Sequence, residues 1–292
     1  FLFSVINGAQ IGTLSGFEDF KSIAITNIIM SVAQICFVII GARYFNLMGA
    51  ILGFGFSYVA AWISNFLAIK KHILKLNVSV KDQLENLSLK KISFLWEFSL
   101  PAAISSLIIP PTLWWAKTLL VRENGLEAMA TFDIADQWRT QILFIPAMLS
   151  QIILPILSNT KSTGSRKDFM ETIKINLIIN VSITVLITVI ILFLGKYIMA
   201  GYGESFSNTF PIYILAFSAI LISVSNILLP IVMVFNKMWH GVLINIFLVI
   251  CLITLAKIFN NLEYAENGLA LAILISYFCY LLVQIIYVKY LF

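Results

Sequence analysis

Charge is scarce in this 292-residue sequence. Asp, Glu, Lys and Arg together make 11% of it, while 60% is hydrophobic and the mean hydropathy is +0.97. A soluble domain carries about 25% charged residues and 45–50% apolar ones, and a folded surface of this size needs more polar cover than these residues supply. The sequence is therefore expected to be an integral membrane protein. Cysteine is equally sparse: Cys36, Cys251 and Cys279 lie far apart within apolar runs, which excludes a disulfide-stapled secreted domain. Histidine is limited to His72 and His240, and no Cys/His cluster suggests a metal. There is no GxxxxGK[ST] phosphate loop, no GxSxG elbow and no HExxH pair. The chain is thus not expected to hydrolyse ATP or to act as an enzyme, and no cofactor is expected. Proline is missing before residue 100. An initiator Met and a signal-peptide pattern are missing too, and Phe1 lies within an apolar stretch, so a piece cut from a longer protein is expected.

What the sequence does have is a series of membrane-length apolar runs. About 20 apolar residues span a bilayer as a helix. One partial span at 1–14 is followed by full spans at 22–42, 46–69, 93–121, 131–160, 171–194, 208–232, 240–257 and 267–288. They are too long and too continuous for barrel strands. The predicted fold is all-α, a polytopic membrane helical bundle.

The net charge of +5 reports topology rather than nucleic-acid binding. The polar stretch 70–92 carries Lys70, Lys71, Lys75, Lys81, Lys90 and Lys91 and is placed in the cytoplasm. Alternation then puts Lys21, Lys161, Arg166, Lys167, Lys174, Lys237 and Lys289 on the same side. Only Arg43, Arg122, Lys196 and Lys257 fall opposite, a clear positive-inside bias. The same stretch divides the chain. Residues 1–69 read as the remnant of an N-terminal six-helix bundle, 70–92 as a cytoplasmic linker and 93–292 as a C-terminal six-helix bundle. Paired bundles around a central site are a common transporter plan.

Five prolines crowd two consecutive spans: Pro101, Pro110 and Pro111, then Pro146 and Pro155. Each removes a helical hydrogen bond, and together they are expected to form a bending gate. The polar constellation lies nearby. Lys117 sits near the outer end of one span, and Asp133, Asp136 and Arg139 open the next. At 100° per residue, Asp133, Asp136, Gln137, Thr140 and Gln141 share about 140° of circumference with Arg139 on its border. Charges at membrane depth usually face an aqueous cavity. The alternative is an interfacial belt around Trp114, Trp115 and Trp138 with an ordinary Asp136–Arg139 pair. Asn27, Ser31 and Gln34 make one uncharged stripe, and Asn176, Asn180 and Thr184 another. Either could line a wet interior or bond helix to helix. Gly8–Gly12–Gly16 and Gly49–Gly53 read as packing contacts.

NGAQIGTLSGFEDFKSIAITN at the start, LPAAISSLIIPPTLWWAKTLL, ADQWRTQILFIPAMLSQIILPILSN and ENGLALAILISY together resemble the bacterial polysaccharide (O-unit, Wzx-type) flippases. These are relatives of the MATE drug antiporters and the lipid II flippases. The resemblance covers essentially the whole chain, as helices four to twelve of a twelve-helix, two-bundle MATE-like transporter. It implies translocation of an undecaprenyl-pyrophosphate-linked oligosaccharide, a repeat unit of O-antigen, capsule or exopolysaccharide, across the bacterial inner membrane by alternating access. Under that reading Lys117 or Arg139 neutralises the pyrophosphate, with Arg offering bidentate geometry. Gln137, Gln141, Asn176 and Asn180 hydrogen-bond sugars, while Asp133 and Asp136 orient the cations or couple an ion. Membrane lipids, a polysaccharide polymerase and a chain-length regulator are the implied partners. A cation-coupled multidrug antiporter using Asp133 and Asp136 is the first competitor. A membrane-embedded polymerase or glycosyltransferase is the second.

Overall fold

The computed structural model describes residues 2–76, 95–162, 164, 166–203, 206–262 and 264–292. All regular structure in them is helical. The chain divides into two compact units, Phe1–Leu87 and Ser88–Phe292. The boundary, like most of the lysine-rich stretch 70–92, lies outside the described residues.

In the first unit, α1 (Leu2–Gly16) packs against the helix Phe20–Leu76. That long helix is a hairpin of two arms, α2 (20–44) and α3 (47–76). Phe45 and Asn46 leave helical geometry, Asn46 at φ 51° and ψ −139°, a positive-φ conformation that residues with a side chain seldom adopt. Residues 70–76, expected as linker, continue α3. Three glycines let the arms touch. A Cβ on Gly41 would lie 2.1 Å from the Gly49 carbonyl oxygen, one on Gly49 2.0 Å from that of Gly41, and one on Gly53 2.3 Å from that of Phe37. Gly49–Gly53 is thus a backbone-to-backbone contact of the kind small residues permit in membranes. Gly8, Gly12 and Gly16, by contrast, have open space where a Cβ would stand, with nothing within 4 Å.

The second unit holds six long segments. A π turn at Leu95–Ser99 leads into the helix Leu100–Ser162. The turn precedes Pro101, whose missing N–H leaves the Glu97 carbonyl without its helical donor. The Leu100–Ser162 helix breaks at Gly125, φ 85° and ψ 179°, a conformation open to glycine alone at little strain. We call its arms α4 (95–124) and α5 (126–162). Then follow α6 (Arg166–Gly201), α7 (Phe210–Val234), α8 (Met238–Asn261) and α9 (Ala265–Leu291). The spans expected from hydropathy therefore correspond to helices throughout. Two pairs of them run on through a kink, so that six helices among the described residues have the length and apolarity to cross a membrane. Pro110, Pro111, Pro146 and Pro155 lie inside these helices, yet the break in helical geometry falls at Gly125.

α7 is the central helix of this unit. It packs on the Leu100–Ser162 helix, α6 and α9, and more than half of its membrane-length window is buried. Ala216, Ser218, Ala219, Ser223 and Ser225 on it are all buried; residues this small let neighbouring helices approach. One apolar cluster, with Phe132, Ile142, Leu215 and Ile273, packs α5, α7 and α9. A second, with Ile153, Leu157, Phe169, Ile227 and Ile231, packs the opposite ends of α5 and α7. The charged residues described next lie at the depth of the first cluster, beside Phe132.

Candidate functional site

Two helix ends joined at Gly125 bring the charges together. Lys117 lies about two turns before the kink and Asp133 about two turns after it, so the arms face each other at that depth. The Lys117 Nζ donates to Asp133 Oδ1 at 2.8 Å and to Asp136 Oδ2 at 3.0 Å. It also stands 5.5 Å from the centre of the Phe132 ring. Arg139, one turn beyond Asp136, sets Nη2 2.5 Å from Asp136 Oδ1. The four residues form a chain of ion pairs, Asp133–Lys117–Asp136–Arg139, in which two positive and two negative charges cancel.

The members differ in burial. Asp133 is half exposed, whereas Arg139 is only 9% exposed. Arg139 Nε and Nη1 have no hydrogen-bond partner. A buried guanidinium with idle donors is costly, because its lost hydration is not replaced. These donors belong to a side chain that lines a cleft of about 350 Å³ between α5, α7 and α9, with Thr140, Ile222 and Tyr277 on its walls. The arrangement can hold an anion by the idle in-plane N–H donors of the guanidinium while Asp136 keeps Nη2.

Lys117, by contrast, is already held by two carboxylates and has less to offer a ligand. The remaining sequence candidates lie elsewhere. Gln137 and Gln141 are exposed on α5 and outside this cleft. Asn176 donates to Thr172 O at 2.8 Å, Asn180 to Asn176 O at 3.0 Å and Thr184 to Asn180 O at 2.7 Å. The α6 stripe is thereby bonded along its own backbone, although Asn180 is fully buried with its Oδ1 unpartnered. Of the tryptophans, Trp114 is exposed, Trp138 packs against the core, and Trp115 carries the Lys257 ammonium 5.7 Å from its ring centre.

Several polar residues were not singled out by the sequence. Tyr277 and Tyr280 of α9 and Asn245 of α8 meet inside the bundle, where Tyr280 donates to Asn245 Oδ1 at 2.7 Å. At one end of α7, Asn208 Nδ2 donates to Glu266 Oε1 at 2.7 Å and to Asn267 Oδ1 at 3.1 Å, and its own Oδ1 receives the Phe210 N–H. This ties the start of α7 to the start of α9. Gly268 follows, where a Cβ would come within 3.0 Å of Phe259 and Tyr264. The available signal for the buried tyrosines and asparagine is a lone polar residue within an apolar run; with single residues on separate helices, nothing in the sequence says that they converge.

Comparison with known proteins adds three findings. A family described as "Polysaccharide biosynthesis protein" matches residues 1–161. The EPS I polysaccharide export inner membrane protein EpsE of Ralstonia nicotianae is 24% identical over 201 residues, 67% of this chain and 45% of that protein. The chain thus spans about half the length of this curated relative. Among solved structures, a MATE protein in complex with MaL6 superimposes with TM-score 0.86 at 13% identity, over 98% of this chain and 66% of that one. A MOP-superfamily transporter from Pyrococcus furiosus gives 0.77 at 12% identity, over 91% and 61%. The fold is MATE-like.

Proposed function

The chain belongs to the polysaccharide biosynthesis protein family and is a multi-pass protein of the inner membrane; on that premise we propose that it flips an undecaprenyl-pyrophosphate-linked oligosaccharide across that membrane by alternating access. The observation that carries this reading is Arg139. It is buried, is paired with Asp136, and keeps Nε and Nη1 without a hydrogen-bond partner in a side chain that lines a cleft of about 350 Å³. A pyrophosphate cannot cross hydrocarbon unaided, because transferring an unpaired charge into a medium of low dielectric costs many kcal/mol. A guanidinium within the bundle gives that charge a partner at depth while the lipid tail stays in the bilayer. The prolines at 101, 110, 111, 146 and 155 supply the points at which the helices of such a transporter bend.

The cation-coupled antiporter is the second reading, and the ion pairs bear on it. Asp133 and Asp136 both hold Lys117, so neither carboxylate stands free for Na⁺ or for a cationic drug. This favours an anionic cargo. The test is the accumulation and sidedness of the lipid-linked oligosaccharide in the native host. With the gene deleted, the lipid should build up on the cytoplasmic leaflet and surface polysaccharide should fall, and plasmid-borne wild type should reverse both. Unchanged surface polysaccharide together with new sensitivity to cationic drugs would favour the antiporter.

A further inference from the structure

A second cavity, of about 260 Å³, lies between α4, α7, α8 and α9. Its polar lining is uncharged: Ser105, Ser106, Ser225, Asn226 and Asn245, with Tyr277 and Tyr280. The Ser225 Oγ is buried, the residue being 3% exposed, and has no hydrogen-bond partner. The Tyr280–Asn245 bond of 2.7 Å fixes the orientation of the Asn245 amide, leaving Nδ2 as its donor. Ile222 and Tyr277 border this cavity and the Arg139 cleft alike. The bundle therefore holds one compartment lined by Arg139 and one that is uncharged, its wall largely apolar (Ile109, Leu229, Met233, Leu248) with hydroxyl and amide groups set into it, and Tyr277 borders both.

We infer that the cavity between α4, α7, α8 and α9 is a saccharide subsite, which takes the sugar next to the anionic group held at Arg139. This inference rests on the proposed function. The chemistry selects the ligand. Without a charged wall, the cavity has nothing to neutralise a second phosphate. An acyl chain would leave Ser225 and Asn245 buried without ligand partners. A sugar presents hydroxyl groups that both donate and accept, which is what serine, asparagine and tyrosine side chains can answer. Aromatic rings give its apolar faces a surface to lie on. The order of the two compartments also suits a cargo in which the sugar follows directly on a pyrophosphate.

The test compares two lipids on the purified protein, produced in its native host and held in phosphatidylethanolamine–phosphatidylglycerol nanodiscs. One is undecaprenyl pyrophosphate. The other is the same lipid carrying the oligosaccharide extracted from the host. Ser225→Leu fills the cavity. It should weaken binding of the sugar-bearing lipid about tenfold, equivalent to about 1.4 kcal/mol, and leave the bare lipid within about twofold. Ser225→Ala removes one hydroxyl without adding volume and should weaken the sugar-bearing lipid alone, by about threefold. It decides the matter if the leucine variant does not fold. Arg139→Gln should weaken both lipids together. Equal losses for both lipids, or none for either, in the Ser225 variants would overturn the subsite and leave the functional reading standing. If the wild-type protein binds neither lipid, the functional reading falls, and the subsite with it.

Discussion

Asp136 stands between Lys117 and Arg139, its Oδ2 accepting from the lysine at 3.0 Å and its Oδ1 lying 2.5 Å from the arginine Nη2. One carboxylate thus restrains a cation on each of the two helix arms that meet at Gly125. An anion that takes up the idle donors of Arg139 shares the guanidinium with Asp136, whose other oxygen stays tied to Lys117. Ligand binding and the ion-pair chain are therefore coupled.

Arg139→Lys keeps the charge but loses the planar fork. Hydrogen bonds to charged groups contribute about 1.5–3 kcal/mol each, so losing one geometry-dependent contact should reduce export tenfold or more. Arg139→Ala should be worse. Lys117→Ala should impair export less than either, because Lys117 is already paired. The measurement is surface polysaccharide in the native host, normalised to membrane protein. Normal export by a Lys117→Ala/Arg139→Ala variant would remove the cationic site from the mechanism.

Stability should respond differently from export. Asp136→Asn leaves the buried guanidinium beside a neutral amide, and breaking a buried pair typically costs about 3–5 kcal/mol. Adding Arg139→Gln to that variant should recover a good part of the thermal stability but none of the export. Strictly additive losses in a double-mutant cycle of Tm would show that the two residues do not interact.

The glycine contact between α2 and α3 makes a sharper structural prediction. Gly49→Val and Gly41→Val force backbones apart at positions where a Cβ has about 2 Å of room. Overpacking of this kind costs about 1–3 kcal/mol and sometimes more. Both variants should reach the membrane in reduced amount, as judged by immunoblot of membrane fractions. Gly12→Ala, with open space around the site, should reach it at wild-type level. Equal levels for all three would contradict the close approach.

At the start of α2 the pH dependence has a definite sign. Asp19 accepts from His72 Nε2 at 2.7 Å, from Ser22 Oγ at 2.7 Å and from the Ser22 N–H at 3.1 Å. It thereby caps the helix. The His72 hydrogen bond first, and those of Ser22 next, hold its carboxyl down from the ordinary 3.8 to about 2. A carboxylate depressed on folding stabilises above its unfolded value, and that contribution is lost as pH falls through the folded one. The Tm difference between wild type and Asp19→Asn should be constant from neutral pH to about 4. It should then shrink toward zero as pH approaches 2. A difference that stayed constant down to pH 2 would show that the depressed carboxyl contributes nothing to the pH dependence.

Topology is open to a direct check. The positive-inside distribution places Ser162 on the cytoplasmic side and Glu123 outside, both exposed. In a background lacking Cys36, Cys251 and Cys279, an impermeant maleimide on intact cells should label Glu123→Cys and spare Ser162→Cys. The reverse pattern would invert the assignment.

Hydropathy alone was enough to locate the helices, because in lipid every backbone polar group must be satisfied within its own segment. A run of about 20 apolar residues has few alternatives to a helix. The neighbourhood of Lys117, Asp133, Asp136 and Arg139 was legible for a related reason: charge at membrane depth is rare enough to stand out in one dimension. The facing of those residues was not legible. Helical periodicity put Arg139 at the border of the polar face and Gln137 and Gln141 within it. Packing against α7 and α9 turned Arg139 inward and left the glutamines exposed. Nor could it be read that Lys117 is consumed by two aspartates, since that depends on the angle the chain takes at Gly125. Likewise Ser225, Asn245, Tyr277 and Tyr280 do not stand out singly, on three helices up to 55 residues apart in sequence. Helix formation is a local matter, set by each segment and its solvent. Which polar side chains share a cavity is decided by how α4, α5, α7, α8 and α9 are rotated against one another, and only close packing of whole side chains settles that rotation.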